Sequence, residues 1–413
     1  MVVFGQYLNV AVIPDQPDKE IILPEDKNSF QSMDVSQEVL RALDAMNIHE
    51  MTPVQAQTLP LMMEGRDVIA IAPTGTGKTI AFGIPMLEYV NLKDDRVQEL
   101  VLAPTRELSL QIAEEIKNLS QFIKGIKIAV LYGGQPIVKQ INQLKRGAHI
   151  IIATPGRLLD HMSRGNIRLD NVHTMVLDEA DEMLNMGFVK DVTKIIEATP
   201  ADRQLVLYSA TTNPDVQTIA WKYQQDPVEV IVPATRENRP QITQYVIDAD
   251  AKNKYEHLLY LLDSDEFNRI MVFINTKDMT QRLTNRLQKA GYGAECLHGD
   301  MRQSARNQVM DGFRKGKFQV LLATDVAARG IDVDDVEAVI NYDLPNENEY
   351  YLHRIGRTGR AKKHGVAFTL LTYTESVRFD MILKYIDAQP VMLHFNELGI
   401  LCNKEGAAFF ENI

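Results

Sequence analysis

The sequence predicts an α/β protein with two tandem domains, each built on a mostly parallel sheet with helices on both faces, joined by a short linker. Its 413 residues exceed the usual size of one compact core, so two domains are expected. Short continuous apolar runs, typical of strands buried on both faces, alternate with segments of helical periodicity. This alternation stops near 233–240, where two prolines bracket a polar stretch, and then resumes. We therefore predict an N-terminal extension (1–28), a first domain (29–232), the linker (233–240) and a second domain (241–413).

The predicted elements follow from apolar spacing and from capping residues. A first helix runs from about Ser32 to Met46, because its apolar residues recur at helical intervals. Asn213 and Pro214 supply a cap and a first-turn proline for a later helix. Three more helices are predicted at 106–122, at 279–287 and from Lys78 onward. The predicted strands are 67–72, 100–103, 126–131, 149–153, 174–177 and 205–208, then 270–274, 320–323, 336–340 and 366–371.

Cysteine content and apolar residues limit the classes of site that the chain can hold. The chain has two cysteines, Cys296 and Cys402, far apart in sequence. This count excludes a disulfide framework and a multi-cysteine zinc site, and it favours a reducing compartment. We expect both thiols to act as buried apolar filler. We also expect Trp221 and the apolar run 61–63 to lie in the core or to be half-buried.

Charge and hydropathy give weaker predictions about partners and location. The net charge of −11 argues against a broad basic surface for nucleic acid. Residues 1–51 hold nine acids and three bases, so more than half of the net negative charge lies there. In the rest of the chain the numbers of acidic and basic residues are nearly equal, which is compatible with a local basic track. The start of the chain lacks the pattern of a signal peptide, and no apolar run approaches the roughly 18 residues of a membrane span. We expect a cytoplasmic protein with no membrane partner.

A glycine-rich segment between a predicted strand and a predicted helix has the features of a phosphate loop. Its residues are Ala72, Pro73, Thr74, Gly75, Thr76, Gly77, Lys78 and Thr79. The glycines allow the backbone N–H groups to face phosphate oxygens, and the helix adds its positive N-terminal end. Lys78 would reach the β and γ phosphates, and the Thr79 hydroxyl would bind Mg²⁺. The alternative is a structural glycine-rich turn.

An acidic turn, Asp178-Glu179-Ala180-Asp181, follows the apolar strand predicted at 174–177. Strand ends carry side chains into the crevice at the carboxyl edge of a parallel sheet, where the phosphate loop must also lie. Asp178 can then hold the magnesium shell, and Glu179 can orient or deprotonate the attacking water. Taken alone, these residues also fit a solvated acidic turn. The phosphate loop makes the catalytic interpretation the better one.

These two motifs resemble those of the DEAD-box RNA helicases of helicase superfamily 2. Asp-Glu-Ala-Asp is the signature for which that family is named, and Ala-x-Thr-Gly-x-Gly-Lys-Thr is its form of the phosphate loop. The resemblance covers roughly residues 30–375, in the order of the family's motifs. It implies two RecA-like domains that use ATP and Mg²⁺ and act on RNA.

The resemblance also assigns nucleotide-binding and coupling residues outside these motifs. Residues 52–55, with Phe30 upstream, look like the family's Q motif, in which the Gln55 amide can pair with the adenine edge. The family usually has glycine and an aromatic where this chain has Asn47 and Ile48. The resemblance further implies that Gly330 and Asp332 approach the nucleotide and that Arg357 and Arg360 are arginine fingers. The residues that it implies for coupling hydrolysis to unwinding are Asp181, Ser209, Thr211 and His353.

We expect Arg357 and Arg360 to point the same way, because a spacing of three is close to one helical turn. A planar guanidinium stabilises the charge that spreads over a transferring phosphoryl group. The alternative for both residues is an ordinary surface cluster of arginines.

RNA contacts are implied at several turns that follow predicted strands. The candidates in the first domain are Pro104, Thr105, Arg106, Gly133, Gly134, Thr154, Pro155, Gly156 and Arg157. The candidates in the second domain are Asn275, Gly299, Arg306 and Thr324. Backbone amides, hydroxyls and guanidinium groups can hold phosphates without reading bases. Each fragment alone fits a strand–helix turn with a helix cap better than an RNA contact, and it is the order and completeness of the set that favour RNA.

The predicted function is RNA-stimulated ATP hydrolysis that closes two domains on RNA, bends one strand and parts short duplexes or remodels RNA–protein complexes. Protein partners that supply targeting are also expected. Two alternatives stay open at this point. One is a DNA-directed helicase of the same superfamily, and the other is a non-catalytic RNA clamp that binds ATP without useful turnover.

Overall fold

The computed structural model describes residues 29–73, 75–233, 242–264, 266–328, 336–359, 364–386 and 388–410. The first of its two sheets has seven parallel strands in the order β3-β4-β2-β5-β6-β1-β7. Its strands are β1 Val68–Ile71, β2 Glu99–Leu102, β3 Ile128–Leu131, β4 Ile150–Ala153, β5 Thr174–Leu177, β6 Gln204–Ser209 and β7 Val228–Ile231.

Nine helices accompany the first sheet in the described part of the chain. They are α1 Gln37–Ala45, α2 Pro53–Met63, α3 Lys78–Tyr89, α4 Arg106–Leu119, α5 Ile137–Leu144, α6 Pro155–Ser163, α7 Ala180–Met183, α8 Val189–Glu197 and α9 Pro214–Tyr223. The predicted cap of α9 is confirmed, because the Asn213 side chain accepts hydrogen bonds from the N–H groups of Asp215 and Val216. Side chains of β1 and β2 alternate between two separate apolar clusters, so helices cover both faces of the sheet.

The second sheet has eight strands in the order β10-β11-β9-β12-β13-β8-β14-β15. All of its pairings are parallel except the one between the last two strands. Its strands are β8 Ile242–Ala249, β9 Ile270–Phe273, β10 Ala294–Leu297, β11 Val320–Ala323, β12 Ala338–Asn341, β13 Gly365–Thr372, β14 Val391–Phe395 and β15 Leu401–Cys402. The helices around it are α10 Lys254–Leu262, α11 Lys277–Lys289, α12 Gln303–Arg314, α13 Asp325–Ala328, α14 Asn348–Ile355 and α15 Ser376–Ile386. Two apolar clusters again lie on opposite faces. The predicted fold class, two tandem α/β sheets of RecA-like type, is confirmed.

Two expectations about the chain are wrong. Trp221 is 88% exposed on α9, because the buried face of that helix is supplied by Val216, Ile219 and Ala220. The run 366–371 is also not the last strand, since β14 and β15 extend the sheet past β8. The run 61–63 behaves as expected, with Met62 fully buried, and both cysteines are buried thiols.

The predicted domain boundaries stay a prediction. The extension 1–28 and nearly all of the linker 233–240 lie outside the described residues. Within the described ranges, no helix combines the length and the apolar character needed to cross a membrane.

Candidate active site

The glycine-rich loop joins β1 to α3, as the sequence predicts. Gly75 and Gly77 have φ values of +76° and +86°, a left-handed conformation that glycine adopts without strain. Lys78 begins α3 and is only 7% exposed, and its Nζ donates a hydrogen bond to Ala72 O at 3.3 Å. The lysine ammonium is therefore already folded over the loop. Thr79 follows it in the first turn of α3, and Thr74 lies outside the described residues.

The Gln55 side chain connects α2 to this loop. Its Nε2 donates to Gly77 O at 3.0 Å, and its Oε1 accepts from Thr52 N at 2.9 Å. A Cβ placed on Gly77 would lie 2.4 Å from Gln55 Nε2, so a side chain at that position would displace the amide. Gln55 is 1% exposed. The amide predicted to read adenine is thus engaged with the protein backbone in this arrangement.

The acidic turn lies beside the phosphate loop. Asp178 and Glu179 follow β5, and β5, β6 and β1 are successive strands of the sheet. Asp178 is 3% exposed, and burial raises the pKa of its carboxyl while the nearby Lys78 ammonium lowers it. Burial also raises the pKa of Glu179, and the Asp178 carboxylate adds to the increase. Glu179 has a φ of +50°, a left-handed conformation that is uncommon for a residue with a Cβ.

Asp181 connects the acidic turn to the residues that follow β6. Its Oδ2 accepts from Thr211 N at 2.9 Å and from Thr211 Oγ1 at 2.8 Å. Ser209 Oγ in turn donates to Thr211 O at 2.7 Å. Three of the four residues predicted to couple hydrolysis to unwinding therefore form one hydrogen-bonded group.

The fourth of these residues, His353, lies across a cleft from the other three. One cavity is lined by Glu179 and Asp181 of the first domain and by His353 and Arg357 of the second. Arg357 is close enough to Glu179 for its charge to lower the pKa of that carboxyl. Glu179 and Arg357 therefore line the same cavity, and Arg357 Nε donates to His353 O at 3.2 Å.

The helical argument for the paired arginines is wrong. Helix α14 ends at Ile355, and Gly356 is its C-cap, so Arg357 lies beyond the last helical turn. Gly359 then has a φ of +75°, which interrupts any continuation of the helix. Arg360, Gly330 and Asp332 lie outside the described residues.

The candidate RNA residues of the first domain lie on the other half of the same sheet. They follow β2, β4 and β3, which are neighbours at one side, whereas the nucleotide residues follow β1, β5 and β6. Thr105 and Thr154 are the N-cap residues of α4 and α6, and Thr105 Oγ1 accepts from Leu108 N. The Arg106 guanidinium lies over the Tyr132 ring at 4.6 Å, and Arg157 Nη1 donates to Gln135 O and Gln140 Oε1.

The remaining candidates of the first domain are exposed to different degrees. Pro104, Gly133, Gly134, Thr154, Pro155 and Gly156 all lie in turns or at helix starts beyond these strands. Gly134 has a φ of +80° and Gly156 is exposed. Pro155 is buried.

The candidates of the second domain also lie past adjacent strands, β10, β11 and β9. Gly299 is exposed, whereas Thr324 is 8% exposed. Asn275 Nδ2 donates to Leu344 O, so this side chain is bound internally. Arg306 Nη2 donates to Ala327 O and lies 3.8 Å from Glu107 Oε1 of the first domain, which makes an ion pair between the domains.

Comparisons with known proteins identify the family. The sequence model of the DEAD/DEAH box helicase family matches residues 52–219, and that of the helicase conserved C-terminal domain matches 253–362. DEAD-box ATP-dependent RNA helicase CshA of Geobacillus kaustophilus is 47% identical over 347 residues, 84% of this chain and 74% of the relative. CshA of Bacillus subtilis is 44% identical over 347 residues, 84% of this chain and 70% of the relative. The CshA of Bacillus cereus strain ATCC 10987 is likewise 44% identical, and the match spans 66% of its length.

The chain belongs to the DEAD-box family of ATP-dependent RNA helicases.

Solved structures of the family have the same fold. Dbp5 of S. cerevisiae bound to RNA and ADP BeF3 has a TM-score of 0.79 at 32% identity, covering 89% of this chain and 96% of Dbp5. A DEAD box protein from Methanococcus jannaschii has a TM-score of 0.51 at 40% identity, covering 89% and 99%. Dbp5 bound to Gle1 and IP6 has a TM-score of 0.72 at 32% identity, covering 90% and 96%.

The departure of this helicase from the Q motif has a structural reason at Asn47. This residue follows α1 with a φ of +55°, and its N–H bonds to Asp44 O while the N–H of Ile48 bonds to Leu43 O. Asparagine is the residue with a side chain that best tolerates this conformation after a helix. Ile48 is partly buried against the core cluster that also contains Phe30, which is 3% exposed. Both therefore pack as apolar residues of the first domain.

One residue of this helicase that sequence reasoning missed is Arg354, which is 1% exposed. Its Nε and Nη2 form a two-point ion pair with Asp325 at 2.6 and 2.8 Å. It also donates to Asn275 Oδ1 at 2.8 Å and to Asp343 O at 2.6 Å. Arg354 thereby joins the turns after β9, β11 and β12 to the helix that carries His353. Its position inside His-Arg-Ile-Gly-Arg was the available signal, but the sequence does not reveal these partners.

Proposed function

We propose that this helicase hydrolyses ATP in the cleft between its two domains and that RNA binding favours closure of that cleft. The cavity lined jointly by Glu179, Asp181, His353 and Arg357 is the observation that carries the proposal. Hydrolysis requires a group that activates water and cations that stabilise the phosphoryl group. The cleft supplies the first from one domain and a guanidinium from the other. Closure of the cleft therefore brings the two groups together and completes the catalytic site.

Lys78, Thr79 and Asp178 have the chemistry to hold the phosphates and a magnesium ion. The Thr79 hydroxyl and the Asp178 carboxylate are hard oxygen donors of the kind that magnesium prefers, and they would hold the ion beside the phosphates. Bound magnesium would neutralise charge on the phosphates. Glu179 orients the attacking water and accepts its proton, a role that suits a carboxylate whose pKa is raised towards the working pH by burial and by Asp178. Arg357, with Arg360 as its expected companion, stabilises the transition state.

Gln55 and Phe30 are assigned to the recognition of adenine. A glutamine amide can both donate to and accept from the edge of adenine, and Phe30 packs in the core cluster that also contains Val54 of α2. Gly330 and Asp332 are assigned to the same nucleotide from the second domain, as the family resemblance implies.

RNA binding is assigned to two surfaces, one on each sheet, which we call half-tracks. The turns after β3, β4 and β2 form the first, and the turns after β10, β11 and β9 form the second. Hydroxyls, glycine amides and arginines in these turns suit phosphate contacts that do not depend on base sequence. A preference for RNA over DNA requires contacts to 2′-hydroxyls. Both half-tracks are aligned only when the cleft is closed, so ATP and RNA should each tighten the binding of the other.

Targeting by protein partners and a cytoplasmic location remain predictions from the sequence. Dbp5, a structural relative, has been solved with Gle1, so protein partners are compatible with this architecture.

Phosphate release with increasing poly(U) RNA, and separately with poly(dT), tests the proposal. RNA-stimulated turnover is expected, with little stimulation by DNA. Equal stimulation by both polymers would favour the DNA-directed alternative, and ATP binding without phosphate release would favour the clamp.

A further inference from the structure

Helix α15 exposes apolar side chains on the face opposite its core contacts. Its inner face is buried through Phe379 and Ile382. The outer face, with the turn before it, carries four apolar side chains spaced four residues apart. They are Tyr373, Val377, Met381 and Tyr385, which are 89, 73, 50 and 46% exposed. We call these four side chains the α15 stripe. Isolated exposed apolar residues are common, but a row at helical spacing marks a surface that another element covers.

The stripe borders a groove between the two domains. This groove, the α15 groove, has a volume of about 790 Å³ and is lined by Met381 and Tyr385 together with Asn213 and Asp215 of the first domain and Glu347 of the second. Asp215 lies in the first turn of α9, and Glu347 is the N-cap residue of α14. An occupant of this groove therefore contacts both domains at once.

The charges that the groove offers to a ligand are negative. Asp215 and Glu347 are both exposed, and within the described part of the chain neither carboxylate takes part in an ion pair. The Arg378 guanidinium also lines the groove, but it donates to the backbone carbonyls of Pro345 and Asn346. These bonds hold α15 against the turn before α14 and direct the cation away from a ligand.

We propose that the α15 groove is the docking site of an amphipathic helical segment from a partner protein, with apolar side chains that cover the stripe and lysine or arginine side chains beside them. The stripe spans about 18 Å, the length of a helix of three to four turns. A helix laid along it places residues i, i+4 and i+8 against the stripe. Its flanking cations then face one carboxylate from each domain.

The same charges argue against two other occupants. A nucleic acid would bring phosphates towards Asp215 and Glu347, which is unfavourable. If a second copy of the chain docked on this face, Asp215 and Glu347 of the two copies would lie near each other. These like charges would repel.

The consequence for the motor rests on the proposed function. Because the walls of the groove come from different domains, a ligand that fills it binds the closed arrangement better than the open one. Such a ligand and RNA with an ATP analogue should then favour each other's binding.

The test uses the full chain and a fluorescein-labelled peptide of alanine, leucine and lysine. A peptide of about 18 residues, with leucines four apart and lysines beside them, forms a helix of about 27 Å that covers the stripe. Fluorescence anisotropy is expected to show binding to the wild-type chain. Met381→Asp and Val377→Asp should each weaken it at least about tenfold, and Asp215→Lys and Glu347→Lys by about fivefold each.

Leu398→Asp is the matched control, because Leu398 is an apolar residue of the second domain that is 82% exposed and lies outside the groove. It should leave the affinity unchanged. A peptide of the same composition with leucines two apart, and one with glutamates in place of lysines, should bind weakly. Poly(U) with ADP·BeF₃ should tighten the binding of the first peptide.

Four outcomes would overturn the proposal. The first is that all three peptides bind equally well, and the second is that both stripe variants bind the first peptide with unchanged affinity. The third is that the wild-type chain sediments as a dimer that Met381→Asp dissociates. The fourth is that the stripe variants weaken the binding of labelled RNA. Peptide binding is measured without turnover, whereas the proposed function is judged on the same samples by RNA-stimulated phosphate release. Failure of one is therefore distinguishable from failure of the other.

Discussion

The carboxylate of Asp181 accepts two hydrogen bonds from Thr211, one from its backbone N–H at 2.9 Å and one from its hydroxyl at 2.8 Å. This pair connects the turn after β5, which carries Glu179, to the turn after β6. Hydrogen bonds to a charged group contribute about 1.5–3 kcal/mol each, so the two turns are held together firmly.

Thr211→Val removes the hydroxyl bond and leaves the backbone bond in place. We expect ATP hydrolysis to change by less than about threefold while duplex unwinding falls about tenfold, because the lost bond to a carboxylate is worth roughly one factor of ten or more. Phosphate release and strand displacement measured on the same sample separate the two effects. Thr218→Val, at an exposed position of α9, is the control. A proportional loss of both activities would contradict a coupling role for Thr211.

Glu179→Gln keeps the size of the side chain but removes the base. Turnover should fall by at least about 100-fold, the usual contribution of general-base catalysis. ATP and RNA binding should persist, since neither requires proton transfer. Fluorescent nucleotide titration and RNA anisotropy check binding, and phosphate release checks turnover. Hydrolysis at the wild-type rate would remove Glu179 from the mechanism.

Arg357→Ala should lower RNA-stimulated hydrolysis by about 10³-fold, the scale reported for arginine fingers in phosphoryl transfer. Arg357→Lys should recover little, because an ammonium lacks the planar two-point geometry of the guanidinium. The thermal unfolding of both variants should match that of the wild type, since Arg357 lies in the cleft. If the alanine variant hydrolyses ATP at near-normal RNA-stimulated rates, the cross-domain role of this arginine is wrong.

Arg354→Gln should destabilise the second domain, because it leaves the mostly buried Asp325 carboxylate without its cation. Removing one partner of a buried ion pair costs about 3–5 kcal/mol. Urea unfolding followed by circular dichroism measures the loss. Arg282→Gln, at an exposed position of α11, serves as the matched control and should change little. Equal midpoints for the two variants would show that the Arg354 network contributes no net stability.

Glu99 predicts a pH effect on stability. It lies in the interior strand β2 with no exposed surface, and burial raises the pKa of its carboxyl well above the ordinary value. The unfolded chain releases this proton near pH 4.3, whereas the folded chain retains it, so stability falls as pH rises from that value through the folded pKa.

Glu99→Gln removes this titration. It should raise the urea midpoint at pH 8 and flatten the dependence of stability on pH. Asp178 and Glu179, whose pKa values are also raised by burial, contribute the same trend to both proteins. Glu114→Gln, at an exposed position of α4, should leave the profile unchanged. An unaltered profile in Glu99→Gln would assign the pH dependence to other groups.

Strands with continuous apolar runs could be predicted from the sequence, and strands whose runs contain polar residues mostly could not. Runs such as 174–177 are continuously apolar because helices cover both sides. The missed strands β7, β8, β10 and β14 each contain polar residues and leave side chains partly exposed, so their apolar runs are interrupted. Position in the sheet does not decide the outcome, because the edge strand β3 was predicted and the interior strand β8 was not.

The local backbone structure of the predicted site follows from neighbouring residues, whereas its contacts between distant residues could not be predicted from the sequence. The phosphate loop has a local glycine pattern that positive φ values explain. The environment of Arg354 depends on turns after three separate strands, which no local pattern encodes. The helical premise for Arg357 and Arg360 was wrong because Gly356 ends α14 before Arg357 is reached.

The hydrogen bond from Gln55 to Gly77 has a consequence for how this helicase would discriminate among nucleoside triphosphates. Engaging a base requires the amide to give up or share its bonds to Thr52 and Gly77, and Gly77 belongs to the loop that surrounds the phosphates. A purine that does not hydrogen-bond to the Gln55 amide would leave the bond from Gln55 to Gly77 intact, and the loop would keep the arrangement described above. Replacing ATP with GTP would therefore slow the chemical step as well as weaken binding. Discrimination between the two nucleotides would be measured in kcat as much as in KM.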